Sequence, residues 1–301
     1  MTQPHTATPA TAPRDLAGYR AVFVHAHPDD EAITTGGAIA DLAARGADVL
    51  VVTCTLGEEG EVIGETYQHL VADEADQLGG FRIGELGASI SNMRARSEFL
   101  GGAGRFRDSG MAGSPASRNP RAFVNAGPEA VELLAGILRR ERPHLVVTYG
   151  PDGGYGHPDH IHAHEIAHAA AEQVGVPRIL WAVRLAEGTA ALMPDRAPDG
   201  WRLPEDGELD GVERSDIRLE LNDAAYSAKI EAMRAHATQL WIADGRVSAT
   251  NPHGALAEGP VVYYALSNLI VQPIQRVEHY QLGAGVPVTD PSGGLLGGIE
   301  R

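Results

Sequence analysis

The 301-residue chain has little cysteine, few basic residues and no long apolar run. Its single cysteine, Cys54, excludes an intrachain disulfide and any metal site built from several cysteines, and it favours a reducing compartment. Lys and Arg number 24 against 40 Asp and Glu, and the formal charge of -16 argues against binding to a phosphate backbone. No apolar run approaches the roughly 20 residues of a membrane span. We therefore expect a globular, cytoplasmic protein without nucleic-acid or membrane partners; the sequence leaves its oligomeric state open.

The two ends of the chain differ in composition from the stretch between them. Residues 1–18 contain much Thr, Pro and Ala without the apolar segment of a signal peptide, so we expect a disordered tail. Residues 283–301 are rich in Gly and Pro and are expected to form a flexible tail. We expect one domain over residues 19–282, in which the acidic, Pro- and Gly-rich segment 186–220 is an insertion or a connector.

Short apolar segments typical of buried strands alternate with helical patterns in the first 185 residues. Strand-like segments at 21–24 and 48–55 flank a helical pattern at 32–45, which together form a βαβ unit with parallel strands. The alternation continues at 129–140, 144–149, 165–174 and 178–183, and a further helix and strands are expected within 222–240 and 261–282. The sequence therefore predicts an α/β fold with a mainly parallel sheet flanked by helices.

Two loops that follow predicted strands are rich in metal-ligand residue types. The first contains His27-Pro28-Asp29-Asp30 and the second runs from Tyr155 to His160. Ligands of a parallel sheet bind where the strands end at their carboxyl side, because the strand-to-helix loops converge there. Neither loop carries the glycine pattern of a nucleotide-phosphate site. The two loops are therefore expected to form one site that does not bind a nucleotide.

The residue types in these loops suit a catalytic divalent metal ion. Three protein ligands plus an open position are usual in catalytic zinc sites, and His27, Asp30 and His160 would supply the three. Asp29 lies beside them and is the candidate general base for an attacking water. His157 is placed to donate a proton or hydrogen bond to the developing oxyanion or the leaving nitrogen. The pattern therefore indicates a metal-assisted hydrolase.

A simpler explanation exists for part of this pattern. Acidic residues at the start of a helix, here Asp29 to Glu31, are favoured by the positive end of the helix dipole, and Pro28 suits a helix entry. Isolated histidines are usually core residues with satisfied hydrogen bonds. The presence of two such loops favours a metal site, because helix capping alone does not explain two His/Asp-rich loops that both follow buried strands.

A different metal motif lies nearby. His164-Glu165-Ile166-Ala167-His168 matches the H-E-x-x-H pattern of metallopeptidase helices, in which the glutamate is the base. On a helix, His168 would lie roughly 12 Å along the axis from His160, away from the strand ends. We interpret the match as accidental and keep the metallopeptidase as an alternative, together with a non-catalytic sugar-binding or metal-binding module. Asp29 argues against such a module, because simple binding needs no base beside a metal.

The segments AHPDDE (26–31) and GYGHPDH (154–160) together resemble the LmbE-like (PIG-L) family of zinc-dependent N-acetylglucosaminyl-phosphatidylinositol-type deacetylases. The resemblance covers about residues 20–282 and is strongest to the members of the mycothiol pathway. It also rests on the segments VTCTLGEEGEVIGE (52–65), ADQLGGFRIGEL (75–86), LGGAGRFRDSGM (100–111), AHATQ (235–239) and EHY (278–280). Residues 87–99 depart from the family, because they lack the helix and strand pattern expected there.

The resemblance implies a Rossmann-like fold, one zinc or similar divalent ion per chain, and removal of acetyl from N-acetylglucosaminyl-inositol in mycothiol biosynthesis. Its implied roles fall on residues of this chain. The metal ligands are His27, Asp30 and His160; the general base is Asp29; His157 stabilises or protonates the tetrahedral intermediate and leaving amine; Tyr155 helps to polarise the amide carbonyl; and Arg82, Asp108 and Glu61 bind the substrate.

The same resemblance leaves one neighbouring activity open. A mycothiol S-conjugate amidase cleaves a related amide and shares the metal site, so the metal residues cannot separate the two. The loop 56–64 is more similar to that of the deacetylases, and we therefore expect the deacetylase activity and a small amino-sugar inositol as the partner.

Overall fold

The computed structural model describes residues 15–186, 188–209, 211–248 and 250–301. The helices are α1 Asp30–Ala44, α2 Leu78–Met93, α3 Gly127–Glu141, α4 Pro158–Val174 and α5 Asp223–Ala235. The strands are β1 Arg20–His25, β2 Asp48–Thr53, β3 Arg96–Phe99, β4 Leu145–Tyr149, β5 Arg178–Val183, β6 Ile217–Glu220, β7 Trp241–Ile242, β8 Tyr263–Ala265, β9 Gln272–Pro273 and β10 Val277–Gly285. None of the helices in these ranges is long and apolar enough to cross a membrane.

Seven strands form the main sheet in the order β3-β2-β1-β4-β5-β10-β6. The first five run parallel to one another, while β10 pairs antiparallel with both β5 and β6. Strands β7, β8 and β9 form a small antiparallel sheet. The predicted α/β fold, with a mainly parallel sheet and added C-terminal strands, is thereby confirmed.

Alternating side chains of the central strands enter two separate cores. Phe23, Val49 and Val51 belong to one buried cluster, with the helices α1, α2 and α5. Val22 and Val24 point the other way, into a cluster with α3 and α4. Because successive side chains of a strand face opposite sides of the sheet, a strand covered on both faces needs an unbroken apolar run. The helices thus cover both faces and leave the carboxyl ends of the strands free for ligands.

The segment that departs from the family pattern is nevertheless regular. Residues 87–93 continue α2, and Arg96–Phe99 form the edge strand β3. Helix α2 packs against α5 and buries Leu86, Ile90 and Met93. Tertiary packing therefore forms a helix that its four glycines would disfavour.

The C-terminal residues differ from the flexible tail expected over 283–301. Strand β10 continues to Gly285, and Leu295 and Leu296 are buried in the core. Arg178, which is fully buried, donates to four carbonyls of this segment, those of Val286, Pro287, Leu295 and Gly297. A buried guanidinium therefore fixes a segment whose composition suggested mobility. At the other end, residues 1–14 of the expected tail lie outside the described residues, while 15–18 form a turn with Leu16 buried.

Candidate metal centre and active site

The two His/Asp-rich loops meet because the strands before them are neighbours. Strands β1 and β4 pair in parallel, with Ala21 opposite Leu145 and Phe23 opposite Val147. The chain leaves β1 at His25 and enters α1 at Asp30, and it leaves β4 at Tyr149 and enters α4 at Pro158. The predicted convergence at the carboxyl ends is confirmed.

Three donor atoms from these loops lie close together. His27 Nδ1 and His160 Nε2 are 3.3 Å apart, and each lies 3.4 Å from Asp30 Oδ2. Tetrahedral coordination at zinc–ligand lengths of about 2.1 Å separates two donors by roughly 3.4 Å. The three atoms therefore already have the spacing that a tetrahedral metal ion requires.

The opposite ring nitrogen of each histidine has a partner that orients it. His27 Nε2 lies 3.2 Å from Asp159 Oδ2, and His160 Nδ1 lies 3.1 Å from the carbonyl oxygen of Gly153. Metal-bound histidines usually donate their other N–H to such a carboxylate or carbonyl, which leaves the first nitrogen free for the metal. The donor set and its supporting contacts thus fit a divalent ion.

Asp30 is held ready as a ligand. Its Oδ2 accepts the Tyr149 hydroxyl at 2.7 Å and the backbone N–H of His27 at 3.0 Å. Burial alone would raise the pKa of Asp30, but the imidazoles of His160 and His27 lower it well below its ordinary range. Residue patterns did not predict this role of Tyr149, because its hydroxyl contacts a residue 119 positions away.

The described residues contain two other groups of three potential metal ligands, and within each group the ligand atoms lie within 4.8 Å of one another. The groups are His27, His157 and His160, and His27, Asp108 and Asp159. The second group lies at Nε2 of His27, the ring nitrogen opposite the one that lies near His160 and Asp30. Asp159 is fully buried, and its Oδ2 already accepts the Ser109 N–H at 2.9 Å. Asp159 thus supports His27, a role that its position beside His160 in the motif could have suggested.

Asp29 has an unusual backbone conformation. Its φ is 114° and its ψ is -33°, and its side chain makes no capping hydrogen bond although it stands at the start of α1. The carboxylate lines the cleft and lies 3.1 Å from Arg82 Nη2. Burial raises the pKa of Asp29 to about 6, while the Arg82 guanidinium opposes this shift. A carboxylate that is free of the helix cap is available to act as a base.

His157 is oriented by the start of α4. Its Nδ1 accepts the Asp159 backbone N–H at 3.2 Å, so the proton of the neutral ring is on Nε2. Burial lowers the pKa of His157 to about 4, and the neighbouring His27 and His160 act in the same direction. The ring is therefore neutral at physiological pH and can donate a hydrogen bond from Nε2.

Tyr155 lies at the mouth of the site. Its ring centroid is 5.0 Å from that of His160 and 6.1 Å from that of His157. The side chain is 65% exposed, so it can turn toward a bound ligand without disturbing the core.

The three residues expected to bind substrate all line the same cleft, at different depths. Arg82 is only 2% exposed, and its Nη1 donates to Gly57 O at 2.8 Å. Asp108 is buried and accepts the Gly110 N–H at 2.8 Å, while its Oδ1 lies 3.5 Å from His27 Nε2. Glu61 is exposed and accepts the Ser267 hydroxyl at 2.6 Å.

The cleft has a volume of about 1040 Å³ and extends from the candidate ligand triad of His27, Asp30 and His160 toward the small antiparallel sheet. Its far wall includes Arg184, Tyr264 and Gln272, whose Oε1 accepts from the other two at 2.9 and 3.0 Å. Substrate clefts commonly measure roughly 300 to 1,000 Å³, so this one has room for a two-ring ligand.

The H-E-x-x-H segment on α4 is differently arranged. His168 Nε2 accepts the indole N–H of Trp181 at 2.8 Å, which occupies the lone pair that a metal would need. His164 Nδ1 lies 2.9 Å from the Tyr149 carbonyl oxygen. Within the described ranges, neither histidine belongs to a group of three potential ligands. These contacts support the interpretation of the motif as accidental.

Comparison with known proteins adds independent findings. Residues 22–171 match the PIG-L family, described as GlcNAc-PI de-N-acetylase. A 1D-myo-inositol 2-acetamido-2-deoxy-alpha-D-glucopyranoside deacetylase of Corynebacterium glutamicum is 60% identical, over 95% of this chain and 98% of that protein. A protein of the same name from Rhodococcus erythropolis is 50% identical, over 88% of this chain and 91% of that protein.

Among solved structures, a deacetylase–teicoplanin complex has a TM-score of 0.51 at 18% identity, over 88% of this chain and 98% of that chain. A triple mutant of a deacetylase involved in teicoplanin biosynthesis has a TM-score of 0.50 at 22% identity, over 73% of this chain and 82% of that chain. At this level of identity the likeness shows the shared fold.

Proposed function

The chain belongs to the PIG-L family of GlcNAc-PI de-N-acetylases, and on that premise we propose that it is a zinc-dependent hydrolase that removes the N-acetyl group from N-acetylglucosaminyl-inositol. The products are glucosaminyl-inositol and acetate, and the reaction belongs to mycothiol biosynthesis. The high identity to the actinobacterial deacetylases supports this substrate. The observation that carries the chemistry is the spacing of His27 Nδ1, Asp30 Oδ2 and His160 Nε2, with Asp29 beside them.

The proposed roles divide the reaction among a few side chains. His27, Asp30 and His160 would hold the ion, which when bound polarises the amide carbonyl and lowers the pKa of a water molecule. Asp29 accepts the proton that the attacking water loses and returns it to the sugar nitrogen as the C–N bond breaks. His157 donates its Nε2–H to the carbonyl oxygen while negative charge develops there.

The remaining proposed residues act on the substrate. Tyr155, exposed at the mouth of the cleft, turns inward to help polarise the amide carbonyl. Glu61 is accessible at the rim and is proposed to bind sugar or inositol hydroxyls. Arg82 and Asp108 bond mainly to protein groups, so we propose that they form the floor of the substrate wall and meet the ligand only at their exposed edges.

The partner in this proposal is a small amino-sugar inositol. We also propose a cytoplasmic location, which is supported by the nature of the reaction and by the free, buried thiol of Cys54. Zinc is proposed over other divalent ions because two imidazoles and one carboxylate are a common catalytic zinc set.

Activity as a mycothiol S-conjugate amidase is the second candidate, because a cleft of about 1040 Å³ also has room for such a conjugate. The test is release of primary amine by the zinc-loaded protein from N-acetylglucosaminyl-inositol, measured beside a mycothiol S-conjugate. Faster release from the acetylated sugar is expected. Preference for the conjugate would transfer the assignment to the amidase, and no release from either would refute the proposed substrates.

A further inference from the structure

The peptide bond that precedes Asp29 is hydrogen-bonded on both sides by buried side chains of opposite charge. Its N–H donates to Glu31 Oε2 at 3.0 Å. Its carbonyl oxygen, that of Pro28, accepts from Arg82 Nη2, which also lies 3.1 Å from Asp29 Oδ2. One guanidinium and one carboxylate therefore fix both the backbone and the side chain of Asp29.

The backbone of Asp29 requires such support. A φ of 114° lies in a region that residues with a side chain rarely adopt, and such conformations persist only where surrounding contacts over-determine them. An aspartate at the start of a helix ordinarily turns its carboxylate back to cap the helix. Here the carboxylate makes no capping bond and lines the cleft. The unusual φ is thus what directs Asp29 away from the helix and toward the reacting atoms.

Side chains from two other helices contact the carboxylate of Glu31. Its Oε1 accepts the Ser89 hydroxyl of α2 at 2.6 Å and lies 2.7 Å from His236 Nε2 at the end of α5. All three side chains are completely buried. The Glu31 carboxylate therefore connects the Asp29 peptide to elements far along the chain, and Glu31 does not line the cleft.

We propose that Glu31 is a positioning residue for the base: with Arg82 it clamps the Pro28–Asp29 peptide and keeps the Asp29 carboxylate directed into the cleft. This inference rests on the proposed function, in which Asp29 takes the proton from water. It assigns Glu31 an action on catalysis through Asp29 alone, without contact to the substrate.

The first part of the test compares kcat, KM and bound zinc per chain for Glu31→Gln and Glu31→Ala. Displacement of a reacting group by about 1 Å can cost about 100-fold in rate, so kcat is expected to fall about 10- to 100-fold with KM and zinc content retained. Glu31→Gln keeps the shape of the side chain and provides the test should Glu31→Ala not fold. Thr35→Val is the matched control, because Thr35 is equally buried on α1 and bonds to His25 and the Glu31 carbonyl without touching the clamped peptide.

The second part introduces Glu31→Gln into an Asp29→Ala background. Since Glu31 acts through Asp29, the double variant is expected to be no slower than Asp29→Ala alone. An equal further loss of kcat in that background would overturn the proposal, as would zinc loss from Glu31→Gln in proportion to its loss of kcat. An active wild type with additive losses would contradict the clamp and leave the proposed function intact, whereas an inactive wild type would overturn both.

Discussion

Replacing Asp159 with asparagine is expected to weaken metal binding while leaving the fold intact. Asp159 Oδ2 accepts the Ser109 N–H at 2.9 Å and lies 3.2 Å from His27 Nε2. Its other oxygen, Oδ1, is buried without a hydrogen-bond partner among the described residues. An asparagine can therefore place its oxygen at the first position and its NH2 at the second. The shape is kept, and the loss is that of the negative charge behind the His27 ring.

The size of the effect follows from the role of that charge. Removing a carboxylate that supports a metal-bound histidine typically costs about 10- to 100-fold in metal affinity, or about 1.4 to 2.7 kcal/mol. The measurement is zinc affinity by competition with a chelating dye, with Asp199→Asn as an exposed control of equal charge change. Asp159→Asn with an affinity within about twofold of the wild type would refute the supporting role, because among the described residues the next carboxylate oxygen at Nε2, Asp108 Oδ1, lies further away, at 3.5 Å.

Three further outcomes are expected. Asp29→Asn should lower kcat by about 100-fold or more while one zinc per chain is retained, as measured by amine release and metal analysis; loss of the zinc would contradict its role as base. Arg178→Met removes four buried or partly buried hydrogen bonds worth about 0.5 to 1.5 kcal/mol each, so Tm should fall by roughly 4 to 12 °C. An unchanged Tm relative to the exposed control Arg218→Met would contradict the anchoring of the C-terminal segment. Glu165→Gln should leave amine release unchanged; its loss would revive the H-E-x-x-H alternative.

The parallel core could be predicted because its signals are local. Apolar runs such as 21–24 and 144–149 specify strands that are buried on both faces, and the motif loops directly follow them. Helix α2 was less accessible to prediction, since Gly79, Gly80, Gly84 and Gly87 weaken the helical signal and packing against α5 restores the helix. The C-terminal segment was missed for a related reason: its anchor, Arg178, lies more than 100 positions away in sequence.

The candidate site likewise combines residues that local sequence patterns predicted with long-range contacts that they did not. The proposed metal ligands His27, Asp30 and His160 and the proposed base Asp29 were predicted from residue types and spacing within two short loops. The contacts that orient them join distant parts of the chain, as between Tyr149 and Asp30 or between His236 and Glu31. The positive φ of Asp29 could not be predicted from the sequence, because glycine is the residue that ordinarily indicates such a backbone conformation.

The proposed triad and base are tested most directly by a zinc titration of the metal-free protein with N-acetylglucosaminyl-inositol as substrate. We expect amine release to rise to a plateau at about one zinc per chain. We also expect His160→Ala to bind zinc weakly and stay inactive, and Asp29→Asn to bind zinc as the wild type does and still fail to turn over. Full activity without added metal, or wild-type zinc affinity in His160→Ala, would contradict the assignment of the triad.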